Sequence, residues 1–365
     1  MDSITQAALG GVVGELVLGR KLGWRGMAWG LFFGTLPDLD ILVSPFLDEV
    51  TRLKWHRGIS HSILLMFVGA FVFSKPLSWL HRERELSTIR AAWFVFLAWS
   101  THVLIDVFTT YGTQILEPFS DTRVSLNNMS IIDPLFTLPL LVCVLITCAR
   151  VQWNVIRWIK HRFASGHRPE ELVFTGRSAR IALTLSCLYA LFSFGMKLRA
   201  TKVFEARMIA ELPKAELVQV APSMGNTILW RGLAETDKGY WVLHWSPLDQ
   251  EQGKWDFYPK YETLTEHLRD EPIYQGIDWF SRGYWVARRF PTGEIQMADM
   301  RYGAFRNLKT GRQEPMFQWV LYYDQDGNFQ SMQGRPSELD AKASLKLIWR
   351  RLTGHLSQWQ SIKSF

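Results

Sequence analysis

The chain has little cysteine: Cys143, Cys148 and Cys187 are the only three in 365 residues, and all lie inside apolar runs. No zinc-finger spacing and no disulfide framework can be built from them. A removable leader is not expected either. The opening Met1-Asp2-Ser3-Ile4-Thr5-Gln6 has no basic stretch and no clear cleavage site follows it, so a signal peptide is not expected. No RNA- or DNA-reading motif occurs either, although the formal net charge is +7. The Lys and Arg residues fall mostly in connections between apolar segments, where they orient a membrane protein, and nucleic acid is not an expected partner.

Mean hydropathy near zero hides two unlike halves, which meet near residue 197. The first holds six apolar runs, roughly 7–18, 26–43, 61–74, 91–108, 134–149 and 179–196. Several fall short of the ~20 residues a helix needs to cross a bilayer, so tilt or a partly buried first helix must be allowed for. The expected fold is an α-helical integral membrane domain of about five to six apolar helices over residues 1–196. A soluble α+β domain with an antiparallel sheet follows over 197–365. Its strand signals are Asn226–Arg231, Gly239–Ser246, Gly283–Phe290, Glu294–Arg301 and Met316–Tyr323, with a helix from about Pro336 to Leu352. Asp324-Gln325-Asp326-Gly327-Asn328 lacks the distal Glu of a calcium loop and reads as a hairpin turn. Asp299 and Arg301 share a strand face and are expected to pair.

The connections 19–25, 75–90 and 150–180 carry 14 Lys and Arg, whereas 44–60 and 109–133 carry 4. The positive-inside rule makes the first set cytoplasmic, and the C-terminal domain then lies in the periplasm. Lys197, Arg199, Lys202 and Arg207 argue the other way, but a large following domain weakens their effect.

Short polar clusters interrupt the apolar half: Pro37-Asp38-Leu39-Asp40, His56-Arg57-Gly58-Ile59-Ser60-His61-Ser62, His102 with Asp106, and Asp121 with Asp133. Each lies at a run end, and with six spans all fall on one membrane face. Ionisable groups there are costly unless they pair, meet water or hold an ion. Imidazole and carboxylate are the ligand set of a divalent metal that retains a place for water, with zinc or manganese expected. The four-residue spacing of His102 and Asp106 puts both on one helical face. His56 and His61 are not aligned on a straight helix, and Gly58 lets the chain turn between them. Two carboxylates at the end of an apolar helix oppose its dipole and call for a cation. Plainer readings accompany these: Ser3 and Gln6 as a capping box, Ser60 as a helix cap, Arg57 as an interfacial cation, Asp121 in a turn and Asp133 as the cap before Pro134.

These residues, with Asp2-Ser3-Ile4-Thr5-Gln6, Tyr111-Gly112-Thr113-Gln114, Pro118-Phe119-Ser120-Asp121 and Ile132-Asp133-Pro134, resemble the YdjM-type family of membrane-bound metal-dependent hydrolases. The likeness covers residues 1 to about 140. It implies a multi-pass protein of the bacterial inner membrane and metal-dependent hydrolysis, without supplying a substrate. A looser likeness to the helical zinc phospholipase C and P1-nuclease group makes a phosphoester plausible by analogy.

The expected activity is hydrolysis of an ester or phosphoester near the lipid headgroups by metal-activated water, on the periplasmic side. His56, His61, His102 and Asp106 are first-choice ligands, and Asp121 and Asp133 further metal candidates. Asp38 and Asp40 supply a remaining ligand or the general base, and Arg57 positions the substrate. The alternative is a non-enzymatic membrane protein, either an ion transporter or a structural stress component. A transporter would set ionisable groups near mid-membrane, whereas these sit at run ends.

Overall fold

The structure is a computed structural model that describes residues 1–164, 174–306, 313–334 and 341–355. Arg168 and the first part of the expected C-terminal helix, residues 336–340, lie outside the described residues. By internal contacts the chain forms two units. One comprises Met1–Phe46, Trp55–Leu126 and Ile131–Ser193; the other comprises Leu47–Lys54, Asn127–Ser130 and Phe194–Phe365.

The first unit opens with α1 (Ser3–Leu22), capped by Asp2, whose carboxylate accepts the Thr5 N–H at 3.0 Å. The capping-box expectation for Ser3 and Gln6 therefore fails, and Gln6 is free for another role. Helix α1 turns at Gly23 (φ 62°) into α2 (Trp24–Thr35), and the backbones of the two helices touch. A Cβ on Gly30 would stand 2.1 Å from the Gly10 carbonyl oxygen, and one on Gly14 2.1 Å from that of Gly26. Small residues spaced by four on both helices permit this approach, a recurring device of membrane helix pairs.

Helix α2 tightens into a 3-10 segment, Leu36–Phe46, followed by α3 (Glu49–Trp55) and a short 3-10 turn, Ile59–His61. Next come α4 (Ile63–Leu80) and α5 (Thr88–Val107), whose N-termini are capped by the hydroxyls of Ser62 and Ser87. After an irregular loop, α6 (Pro134–Ala164) and α7 (Arg177–Glu211) complete the helices of this half. Among the described residues five segments are long and apolar enough to cross a membrane: Trp24–Phe46, Ile63–Leu80, Thr88–Val107, Pro134–Arg157 and Arg177–Glu211. Most of α1 is instead buried, and α1, α2, α4 and α5 share a core that includes Val13, Phe33, Met66 and Phe94. Phe71 and Leu191, 76% and 67% exposed, face outward as lipid-contacting side chains do.

In the second unit β1 (Glu216–Pro222), β2 (Trp230–Thr236), β3 (Gly239–Trp245) and β4 (Asp256–Pro259) form an antiparallel sheet in sequence order. Helix α8 (Pro272–Ser281) leads to β5 (Trp285–Arg289) and β6 (Ile295–Asp299). A small pair, β7 (Ala304–Arg306) and β8 (Gln313–Pro315), precedes β9 (Gln318–Tyr323) and β10 (Phe329–Gly334). The second four-stranded sheet has the order β10-β9-β6-β5, and α9 (Ala341–Leu352) follows. Leu233, Tyr240 and Val242 of one sheet pack against Val286, Ala298 and Met300 of the other. The opposite face of the first sheet receives Met196, Ala200 and Phe204 of α7.

One expected sheet is thus two, plus a small pair, and β1, β4, β10 and α8 carried no clear sequence signal. The strand expected over Asn226–Arg231 begins only at Trp230, because the Asn226 carboxamide accepts the Ile228 and Leu229 N–H groups and bends the chain. The β9–β10 hairpin follows its expected form: Gly327 takes φ 80° and Asp324 accepts from Asp326 and Asn328.

Gly30→Ala should lower stability by about 2 kcal/mol, because the added methyl meets backbone rather than a movable side chain. Thermal unfolding in detergent measures this, and an unchanged midpoint would show that α1 and α2 tolerate wider separation.

Candidate metal centre

Three elements aim side chains at one point. In the 3-10 segment after α2, with about three residues per turn, Asp38 and Asp40 point in different directions. Asp38 turns inward, while Asp40 turns toward the 56–61 loop. That loop reverses at Arg57, which adopts φ 62°, and at Gly58, whose N–H donates to the Trp55 carbonyl at 3.0 Å. His61 ends the Ile59–His61 turn one residue before the Ser62 cap, and His102 and Asp106 lie one turn apart on the buried face of α5.

His61, His102 and Asp106 have wholly buried side chains, and that of Asp38 is 15% exposed. The His61 and His102 Nε2 atoms are 3.1 Å apart. Asp38 Oδ1 lies 3.3 Å from the former and 3.4 Å from the latter, and Asp106 Oδ2 lies 3.3 Å and 3.7 Å from them. One ligand atom from each of the four residues falls within 4.8 Å of all the others. A tetrahedral ion with bonds of about 2.0–2.1 Å places its ligands about 3.3–3.4 Å apart, close to the five separations that involve the imidazoles.

The donors behind the imidazoles fix which nitrogen faces inward. His102 Nδ1 donates to the Gly34 carbonyl at 2.7 Å. His61 Nδ1 meets the Ser60 hydroxyl at 2.8 Å, and that hydroxyl donates to Asp40 at 2.9 Å. Both Nε2 lone pairs are thereby directed at the centre, the arrangement by which outer partners orient metal-binding histidines. Ser60 is not the helix cap expected of it; Ser62 caps α4 and leaves Ser60 to this relay.

Three buried acceptors at this point have no hydrogen-bond donor: Asp38 Oδ1, Asp106 Oδ2 and Gln6 Oε1. Leaving such atoms unmatched is costly, and a cation between Asp38 and Asp106 would answer the two carboxylate oxygens. Burial opposes protonation of His61, yet Asp106 and Asp38 outweigh it and hold its pKa above the ordinary value. The cluster attracts positive charge.

Around it lies a second layer. Gln6 Nε2 reaches Asp106 Oδ1 at 2.9 Å and His102 Nε2 at 3.2 Å. The Met1 amine also contacts Asp106 Oδ1. Arg57, 5% exposed, places Nη2 3.1 Å from Asp106, donates from Nη1 to Thr109, and stacks 4.7 Å above the Tyr111 ring. Its Nε is buried without an acceptor. It is no surface cation. His56 is partly exposed and hydrogen-bonds Asp40 through Nδ1 at 3.0 Å.

Thus Asp38, His61, His102 and Asp106 meet at one point, with Asp40, His56 and Arg57 in contact with that group. Asp121 and Asp133 lie outside it. Asp121 is exposed on the loop, while Asp133 accepts the Tyr189 hydroxyl, which lies 2.9 Å and 3.0 Å from its two oxygens, and caps α6 at Phe136. Burial pushes the Asp133 carboxyl up, with Tyr189 and the cap opposing. Sequence reasoning missed Gln6 and Ser60 as members of the site. The signal existed for Gln6, since Asp2 is the better cap and frees it.

The profile of the YdjM inner membrane protein family matches residues 1–200. An uncharacterized protein of Bacillus subtilis (strain 168), YfhP, is 27% identical over 145 residues, which is 37% of this chain and 42% of YfhP. The aligned stretch therefore spans less than half of that relative. No solved structure matches the chain.

Purified in detergent and assayed by elemental analysis, His61→Ala and His102→Ala should each lose bound divalent metal more than about tenfold. Asp40→Asn should weaken binding about 10–100-fold by freeing Ser60 and His61. Asp121→Asn should leave the content unchanged; a loss there equal to that of His102→Ala would misplace the centre.

Proposed function

Since the chain belongs to the YdjM inner membrane protein family and gathers two imidazoles and two carboxylates at one buried point, we propose that it is a membrane-bound metal-dependent hydrolase of phosphoesters. The observation that carries this reading is the set of orphaned acceptors beside two histidines whose Nε2 atoms are directed inward. Asp38, His61, His102 and Asp106 would hold a divalent ion, zinc being favoured by the tetrahedral spacing. Such an ion supplies Lewis acidity and a nucleophile available at neutral pH.

The protein's own groups provide the rest. Asp38 is the exposed ligand of the four, so the substrate approaches on its side. Arg57 holds an unused Nε donor, which suits an anionic phosphoryl oxygen better than a neutral ester. Asp40 orients the His56 ring through Nδ1, leaving the partly exposed Nε2 to take or give a proton. This assigns His56 to proton transfer rather than ligation and makes Asp40 its positioning partner.

One observation favours a second reading. Four protein ligands complete a tetrahedron, which is the habit of structural metal sites, whereas catalytic sites keep a position open. A non-enzymatic membrane component would then use the ion only to hold α2, α5 and the 56–61 loop together. His56→Ala separates the two. For a hydrolase it keeps its metal and loses about 10²–10⁴-fold in turnover of bis-p-nitrophenyl phosphate or of phospholipid in mixed micelles. Metal-dependent stability with no metal-dependent turnover of these substrates would favour the structural role.

The loop imbalance, 14 basic residues against 4, supports a periplasmic centre and C-terminal region. An alkaline phosphatase fusion after Phe365 should be active and a fluorescent fusion dark. The reverse pattern would put the centre in the cytoplasm and leave its chemistry untouched.

A further inference from the structure

Residues 47–54 lie between Asp40 and His56 in sequence, yet they belong to the second unit. They include most of α3, a helix of seven residues with none buried. A helix so short does not hold itself together in water, so α3 depends on what it rests against.

It rests on α8 and β10. Val50 fills the space in front of Gly276, where a Cβ would stand 2.9 Å from Val50 Cγ1. The Lys54 ammonium lies 5.5 Å from the centre of the Trp279 ring, also on α8, and the Ser331 hydroxyl of β10 donates to Glu49. Helix α8 is a firm support. Its Ile277 and Phe280 are buried, the Phe280 carbonyl accepts from Arg301 at 2.6 Å, and the Phe280 ring meets that of Trp319 edge-on at 5.4 Å.

His56 follows α3 with no residue between. The Gly58 N–H returns to the Trp55 carbonyl at 3.0 Å, so the end of α3 and the reversal that carries His56 form one piece. Asp40 closes the arc from the other side: it bonds His56 Nδ1 at 3.0 Å and accepts the Arg57 N–H at 3.1 Å. The direction of the His56 ring is therefore inherited from α3. The metal ligands are held otherwise, His102 and Asp106 by α5 and His61 by its own turn and the Ser60 hydroxyl.

We propose that the C-terminal unit positions His56 for proton transfer by holding α3 on α8, with Val50, Lys54 and Gly276 as positioning residues. This rests on the reading of His56 as the proton-transfer group of a hydrolase. It gives the C-terminal unit control of turnover through the chain, without a ligand to the metal. A stiff β-branched side chain facing a glycine is sensitive to a single added methyl, because Val50 has no alternative rotamer to retreat into at low cost.

Hydrogen exchange, read by mass spectrometry on the full chain in detergent with zinc added, tests the seat without relying on turnover. In Gly276→Ala the peptide holding the Arg57 and Gly58 amides should exchange about tenfold faster than in wild type. Peptides around His102 and the zinc content should not change. Gly276→Ala combined with Val50→Ala makes room for the new methyl and should restore the wild-type rate. Lys54→Met should act in the same direction as Gly276→Ala, by about threefold. Turnover of bis-p-nitrophenyl phosphate should follow the exchange: kcat falls about tenfold in Gly276→Ala at unchanged KM and recovers in the double variant. Wild-type exchange at Arg57 and Gly58 in Gly276→Ala, or faster exchange spread equally over α5, overturns the proposal. So does wild-type kcat in a Gly276→Ala protein whose 56–58 segment has loosened. Absence of turnover in wild type refutes the hydrolase and the proton-transfer role with it, whereas the exchange pattern decides separately whether α3 holds His56.

Discussion

Everything in the membrane half is arranged around the cost of holding two carboxylates and two imidazoles out of water. Asp106 lies fully buried among apolar helices with three positive or polar neighbours on one oxygen and only the two imidazole Nε2 atoms beside the other. Charge so placed is tolerated only when a cation meets it, and Arg57 meets half of the demand. The remaining half faces His61, His102 and Asp38. A divalent ion is the simplest group that satisfies four such atoms at once.

That demand explains features that look unrelated along the chain. The touching backbones of α1 and α2 bring Gln6 to Asp106 and set the Gly34 carbonyl where His102 needs it. The strained backbone at Arg57 costs about 1 kcal/mol. In return its N–H reaches Asp40 while its guanidinium reaches Asp106. Ser60 stands between Asp40 and His61, so a single carboxylate orients two histidines, His56 directly and His61 through a hydroxyl.

The second unit follows different physics. Its two sheets exclude water by ordinary sandwich packing, and its polar interior is a set of closed ion pairs, Asp299 with Arg301 and Asp249 with Arg351.

Much of this could be read in the sequence, and what was legible shares a cause. Apolar run length and the placement of Lys and Arg depend on the bilayer as solvent, which acts on each segment separately, so the helices and the cluster of polar run ends were visible. The spacing of His102 and Asp106 is local geometry on one helix, and the Asp326-Gly327 turn is local backbone chemistry. What stayed hidden depends on contacts between distant segments. Asp38 and Asp40 are indistinguishable in sequence, and only the 3-10 twist after α2 sends one to the cluster and the other to His56. Gln6 and Ser60 have capping-type side chains whose real partners lie on other elements. Asp121 and Asp133 share a run-end position with the histidines, yet one faces solvent and the other is consumed by Tyr189 from α7. A sequence states which residues can bind a metal and where the membrane forces them to lie. Only tertiary packing decides which atoms meet, because that depends on interhelical distances set by side chains far away in the chain.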